Sequence, residues 1–157
     1  MVALVIALTL TASAAMAYRE YVPGTTFGAP GTGNGQFEEP TAVAVNDSLT
    51  EATAGDVYVL DRGNNRVEWF SASGEYKGQF NGGETPAGSF SEPTEIAVDN
   101  SGRPLEDPSA GDVYVLEHGL HLIDKFTAEG KYLSQLTETT VGAPFRELAS
   151  IAVGQSG

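Results

Sequence analysis

Between residues 37 and 136, short apolar runs alternate with polar, glycine-rich connections, and no sustained 3.6-residue period appears after residue 20. That pattern predicts strands joined by turns, with little helix. Four runs come in order, TAVAV, DVYVL, RVEWF and EYKGQF, and four more follow, TEIAV, DVYVL, LIDKF and KYLSQL. The second run of each set, and the first run of the first set, are apolar on both parities, as a strand covered on both faces should be. The fourth run is more polar, which predicts a sheet edge. Gly and Pro, 19 and 8 of them, fall largely between the runs, where turns need them.

The two sets are copies of one unit. Phe37, Glu39-Pro40-Thr41 and Ala44-Val45 recur 53 residues later as Phe90, Glu92-Pro93-Thr94 and Ala97-Val98. After a connection three residues longer in the second copy, Asp56-Val57-Tyr58-Val59-Leu60 recurs at Asp112-Val113-Tyr114-Val115-Leu116, 56 residues on. The same offset carries Phe70 to Phe126, Gly74 to Gly130 and Phe80 to Leu136. A third copy opens at Phe145, with Leu148 in place of Pro, and runs through Ile151-Ala152-Val153. Residues 21–27 resemble the end of a unit, because Phe27 and Phe37 are spaced as Phe80 and Phe90 are. Self-similarity at such a period marks a repeat architecture. Four antiparallel strands per unit, the innermost shielded by neighbouring units, predict an all-β fold of β-propeller blades at about 37–80 and 90–136, with a third beginning at 145.

The order Phe37, Pro40, Ala44-Val45, Val57-Tyr58-Val59, Asp61, Asn64, Arg66-Val67, Phe70 and Gly74 resembles the NHL repeat of six-bladed propellers, over about residues 21–157. The second copy departs from it, since Glu117, Leu120 and Leu122 stand where Asp61, Asn64 and Arg66 do. A short Asp or Asn side chain caps a turn through backbone N–H groups, so the second turn is expected to be less firmly fixed. The resemblance implies a propeller. For some relatives it implies a lyase or hydrolase with a metal on the central axis.

The first 17 residues contain no charged side chain and end in Ala15-Met16-Ala17, which is read as an export signal cleaved before Tyr18. Residues 18–157 then form the propeller segment, located outside the cell or in its envelope. With 8 basic and 21 acidic groups the net charge is −13, a balance that opposes nucleic-acid binding. There is no Cys, so disulfides do not contribute to stability.

Four features invite chemistry. His118 and His121, flanked by Glu117 and Asp124, suggest a metal site, but they occupy the places of Arg62, Asn65, Asp61 and Glu68, and an imidazole pair without a third fixed ligand is a weak signal. Gly31-Thr32-Gly33-Asn34-Gly35 does not lead from a strand into a helix or end in Gly-Lys-Ser/Thr, which argues against a phosphate loop. Asp99-Asn100-Ser101-Gly102 with Glu106-Asp107 offers oxygen ligands at a spacing unlike an EF-hand loop, so a solvated turn is expected. Trp69, the single Trp, aligns with Lys125 and is expected to be buried. No Ser/His/acid set is present to support nucleophilic catalysis.

These features predict no catalytic residue, metal ligand or cofactor. The expectation is an exported repeat protein that binds a protein or glycan partner, completed by further blades from the same or another chain. A fragment of a propeller enzyme with an axial metal is the alternative. The sequence also reads as a piece of a longer chain.

Overall fold

The computed structural model describes residues 26–47, 53–101, 108–142, 145 and 148–154. The export-signal segment, most of residues 21–27, and Gly102, Glu106 and Asp107 lie outside the described residues. A two-residue parallel pair, β1 (Ala29–Pro30) and β2 (Gln36–Phe37), precedes two four-stranded sheets. The first sheet contains β3 (Pro40–Val45), β4 (Val57–Asp61), β5 (Arg66–Phe70) and β6 (Tyr76–Phe80). The second contains β7 (Pro93–Val98), β8 (Val113–Glu117), β9 (Leu122–Phe126) and β10 (Tyr132–Leu136). In both, each strand pairs antiparallel with its sequence neighbours, so the fourth strand is an edge as its polarity predicts. Both sheets also share a register shift two residues into the first strand, at Pro40/Ala42 and at Pro93/Glu95.

The sheets stack face to back. Alternation places Ala42, Ala44, Tyr58, Leu60, Val67 and Trp69 on one face of the first sheet, and they pack against Ile96, Val98, Val113, Val115 and Phe126 of the second. Full burial of each large apolar side chain in this layer contributes about 1.5–3 kcal/mol. Tyr58, wholly buried, donates its hydroxyl to the carbonyl of Ala128, in the turn between β9 and β10, at 2.9 Å, so its polar end is satisfied. Asn100 stitches the inner strands together, donating to the Val45 carbonyl at 3.1 Å and accepting from the Asp47 N–H at 2.8 Å. Successive four-stranded antiparallel sheets stacked through their inner strands are β-propeller blades, and the described residues are all-β apart from one short helical turn.

That turn, α1 (Glu138–Val141), starts at a Thr137/Thr140 capping box and stops at Gly142 in the left-handed region. The third copy expected from residue 145 falls beyond it. Phe145, Leu148 and Ile151 are half-buried, but residues 148–154 pair with no strand among the described residues. Trp69 is half-buried rather than fully buried. Its indole lies over Gly78, where an added Cβ would sit 2.4 Å from the ring, and its centroid is 6.0 Å from that of Phe80.

Candidate functional site

In both blades the start of the first strand, the turn between the second and third strands, and the end of the fourth strand lie at one edge of the sheet. The backbone at this rim is the same in each copy. Glu39 and Glu92 have φ of 51° and 49°, and Asn65 and His121 have 49° and 54°. These are the non-Gly residues with positive φ among the described residues, and all four are exposed. A left-handed conformation is costly for residues with a Cβ, so its repetition at one rim shows that the surrounding hydrogen bonds impose it.

Those bonds tie each turn to the incoming chain. The Gly63 N–H donates to the Glu38 carbonyl at 2.7 Å, and the Gly119 N–H to the Ser91 carbonyl at 3.2 Å. The Asn65 N–H donates to the Arg62 carbonyl at 3.0 Å, and the His121 N–H to the His118 carbonyl at 3.4 Å. The second turn thus keeps its shape with longer bonds, and the reason differs from simple loss of a capping Asp. Asp61 does not cap its own turn through a backbone N–H; it accepts from the Glu38 N–H at 2.7 Å, 23 residues earlier, and Glu117 accepts from the equivalent Ser91 N–H at 2.7 Å. The glycine at this contact is required for close approach, because a Cβ at Gly63 would stand 2.4 Å from the Glu38 carbonyl oxygen. Gly63→Ala is expected to cost about 1–3 kcal/mol, read as a lowered thermal midpoint, through forced displacement of backbone.

Below the rim of blade 1 lies a buried ionic network. The Arg66 Nε donates to Asp61 at 3.0 Å, and its terminal nitrogens reach Gln79 Oε1 and the carbonyls of Thr32, Gly33 and Gln36 at 2.7–2.9 Å. Glu68 lies 3.2 Å from the guanidinium and accepts from the Gly35 N–H at 3.2 Å. Arg66 therefore clamps the Gly-rich 31–36 loop to the sheet, which is the structural use of that sequence. Burial lifts Glu68 above the usual carboxylate range, while the Arg66 charge and the Gly35 N–H pull it down. In blade 2 the clamp is absent because Leu122 occupies the Arg66 position.

The candidate metal cluster separates in space. Glu117 and Asp124 are wholly buried, whereas His118 and His121 are exposed at the turn with ring centroids 5.9 Å apart. Among the described residues no three His, Cys, Asp or Glu side chains converge to hold a metal ion. Asp99 is engaged within its own connection: it accepts from the Ser101 N–H and hydroxyl, and from the Ser109 hydroxyl at 2.7 Å. The carboxylates that recur in both blades, Asp61/Glu117 and Glu68/Asp124, were visible in the sequence as aligned acids, but their common burial was not.

No family model matches the chain. It is similar to Protein brain tumor of Drosophila melanogaster, 29% identical over 119 residues, which are 75% of this chain and 10% of that protein. The chain thus spans about a tenth of the length of this curated relative. Among solved structures it resembles a luciferin-regenerating enzyme, with 14% identity and a TM-score of 0.46 over 66% of this chain and 31% of the other. It also resembles regucalcin, a calcium-binding protein from Agrobacterium tumefaciens, with 14% identity and a TM-score of 0.45 over 74% of this chain and 34% of the other.

Proposed function

We propose that the chain is an exported protein with blades of NHL type, whose turn rim binds a protein or glycan partner. The supporting observation is the contrast at the rim between a fixed backbone and varied side chains. The left-handed positions and the bonds from turn to incoming chain recur in both blades, while the exposed side chains they present change from Arg62 and Asn65 to His118 and His121. A rigid frame that displays different polar groups at equivalent places suits recognition. Three of the four buried acids that recur, Asp61, Glu68 and Glu117, are engaged with backbone N–H groups of the connections, which supports binding over the enzyme alternative.

The same reading includes a further blade against the open face of blade 1. Val43 and Val45 are 64% and 47% exposed, whereas their counterparts Ile96 and Val98, covered by blade 1, are 5% and 7% exposed. Phe27 already stacks on Phe70 at 4.7 Å as Phe80 stacks on Phe126 at 4.7 Å, so the outer part of that face is occupied and the inner part is free among the described residues.

The test is binding of the full chain to immobilised glycan and peptide arrays. Combining Arg62→Ala, His118→Ala and His121→Ala is expected to weaken a detected interaction at least about tenfold, roughly 1.4 kcal/mol. Glu75→Ala, at the opposite edge, is expected to leave it unchanged. Binding that survives the triple substitution would refute the rim as the site, and silent arrays would refute the platform.

A further inference from the structure

Blade 2 conserves the acids of the blade 1 network without its cation. Glu117 and Asp124 stand where Asp61 and Glu68 do, and both are wholly buried. In blade 1 the guanidinium of Arg66 pairs with both acids and holds three loop carbonyls. In blade 2 the apolar Leu122 replaces it, one Glu117 oxygen accepts from the Ser91 N–H, and the other Glu117 oxygen and both Asp124 oxygens have no hydrogen-bond partner among fixed donors. Asp124 is one methylene shorter than Glu68, and Gly88, the counterpart of Gly35, directs its N–H to the Thr85 carbonyl at 3.1 Å. No donor from the connection replaces the one that Gly35 provides.

Among the described residues the surroundings contain no compensating charge. From β10 come Gln135, the strand partner of Asp124, whose side chain pulls the Asp124 carboxyl down against the effect of burial, and Tyr132, whose hydroxyl is raised by burial and by the Asp124 charge. From the connection come Ser91 and Glu92, and from the turn His118 and His121. His118 and Glu92 face each other at 3.6 Å at the surface, and Lys125 pairs with Asp112 at 2.8 Å. Among the described residues no Arg or Lys forms an ion pair with either acid. Two ionised carboxylates side by side in such a site are strongly disfavoured, whereas one shared proton converts an oxygen into the donor its neighbour lacks.

We propose that Glu117 and Asp124 form a proton-sharing latch that holds the 81–92 connection onto blade 2 through Ser91, closed while the pair keeps its proton and released when the proton is lost. Burial, and then Asp124 beside it, push Glu117 up to about 8, and burial raises Asp124 as well. The sign follows. The folded pair holds a proton that the opened chain has lost above its ordinary value of 4.5, so the latch is fully effective below that value and weakens until about pH 8. In blade 1 burial raises Glu68 too, but the Arg66 guanidinium and the Gly35 N–H pull it back, so only a weaker dependence of the same sign is expected there.

The experiment is amide hydrogen exchange on the full chain, with intrinsic rates corrected for pH, comparing Ser91 with its blade 1 counterpart Glu38. The Ser91 opening constant is expected to rise up to about tenfold per pH unit between about pH 5 and about pH 8, then level off, while Glu38, held in the Arg66 network, changes much less. Glu117→Gln supplies a permanent donor and is expected to abolish the slope; Leu122→Arg is expected to do the same by restoring the cation. Infrared spectra of the unmodified chain at neutral pH are expected to show a protonated carboxyl band, which keeps the proposal testable where a variant fails to fold. A flat Ser91 profile, an equal slope in Glu117→Gln, the absence of that band, or a cation bound to the pair in native mass spectra would each overturn the latch.

Discussion

Arg66→Leu is expected to lower the unfolding free energy by about 3–5 kcal/mol in a denaturant titration at neutral pH, the usual cost of removing one partner from a buried ion pair. The large value follows from what remains. Asp61 and Glu68 are wholly buried and would lose their cation, and the carbonyls of Thr32, Gly33 and Gln36 would lose their donors. Leu at this position recreates in blade 1 the pair found in blade 2, so the loss should shrink on acidification as the two acids take up a proton. Arg66→Lys keeps the charge and gives up the planar fork, and an intermediate loss is expected. Lys77→Ala provides the contrast. Lys77 pairs with Asp56 at 2.5 Å but is about a third exposed, and such pairs contribute about 0–1 kcal/mol. An Arg66→Leu loss as small as that of Lys77→Ala would show that the network does not hold blade 1 together.

The copies at offsets of 53 and 56 made the strand order, the edge strand and the face alternation readable, because each depends on local period and on repetition. The ionic network was not readable for the same reason. Its bonds to the loop join residues 30–34 apart, from Arg66 to Thr32, Gly33 and Gln36, and no local pattern specifies which loop folds back over which strand. Asp61 looked like a turn cap because Asp often is one; here it reaches the incoming chain at Glu38. His118 and His121 were discounted as metal ligands on alignment and for want of a third fixed ligand, and they stand at an exposed turn while the neighbouring acids are buried. The legible trace of the latch was a recurrence: acids at 61 and 117, acids at 68 and 124, and a cation at 66 with none at 122. Burial converts that mismatch into chemistry.

Phe126→Ala tests whether the two blades unfold as one body. Phe126 is 2% exposed and meets Phe80 at 4.7 Å, Phe90 at 5.7 Å and Tyr132 at 6.0 Å, so it joins the last strand of blade 1, the connection and the last strand of blade 2. Truncation of such a buried ring costs about 3–5 kcal/mol through lost transfer energy and the cavity left behind. Phe70→Ala removes an equivalent ring, 1% exposed, but its 4.7 Å partner is Phe27, outside both sheets. Equal chemistry at the two sites separates local from coupled stability. In an array of stacked repeats, stability is a sum of unit and interface terms, so a change at the interface should reach both neighbours. Phe126→Ala is therefore expected to raise amide exchange at Val59 and Val115 together, and the Phe80→Ala/Phe126→Ala cycle to give a coupling of about 0.5–1.5 kcal/mol. Exchange that rises at Val115 alone would mean that each sheet stands by itself and that the stacked layer of Tyr58, Leu60, Val113 and Val115 transmits nothing.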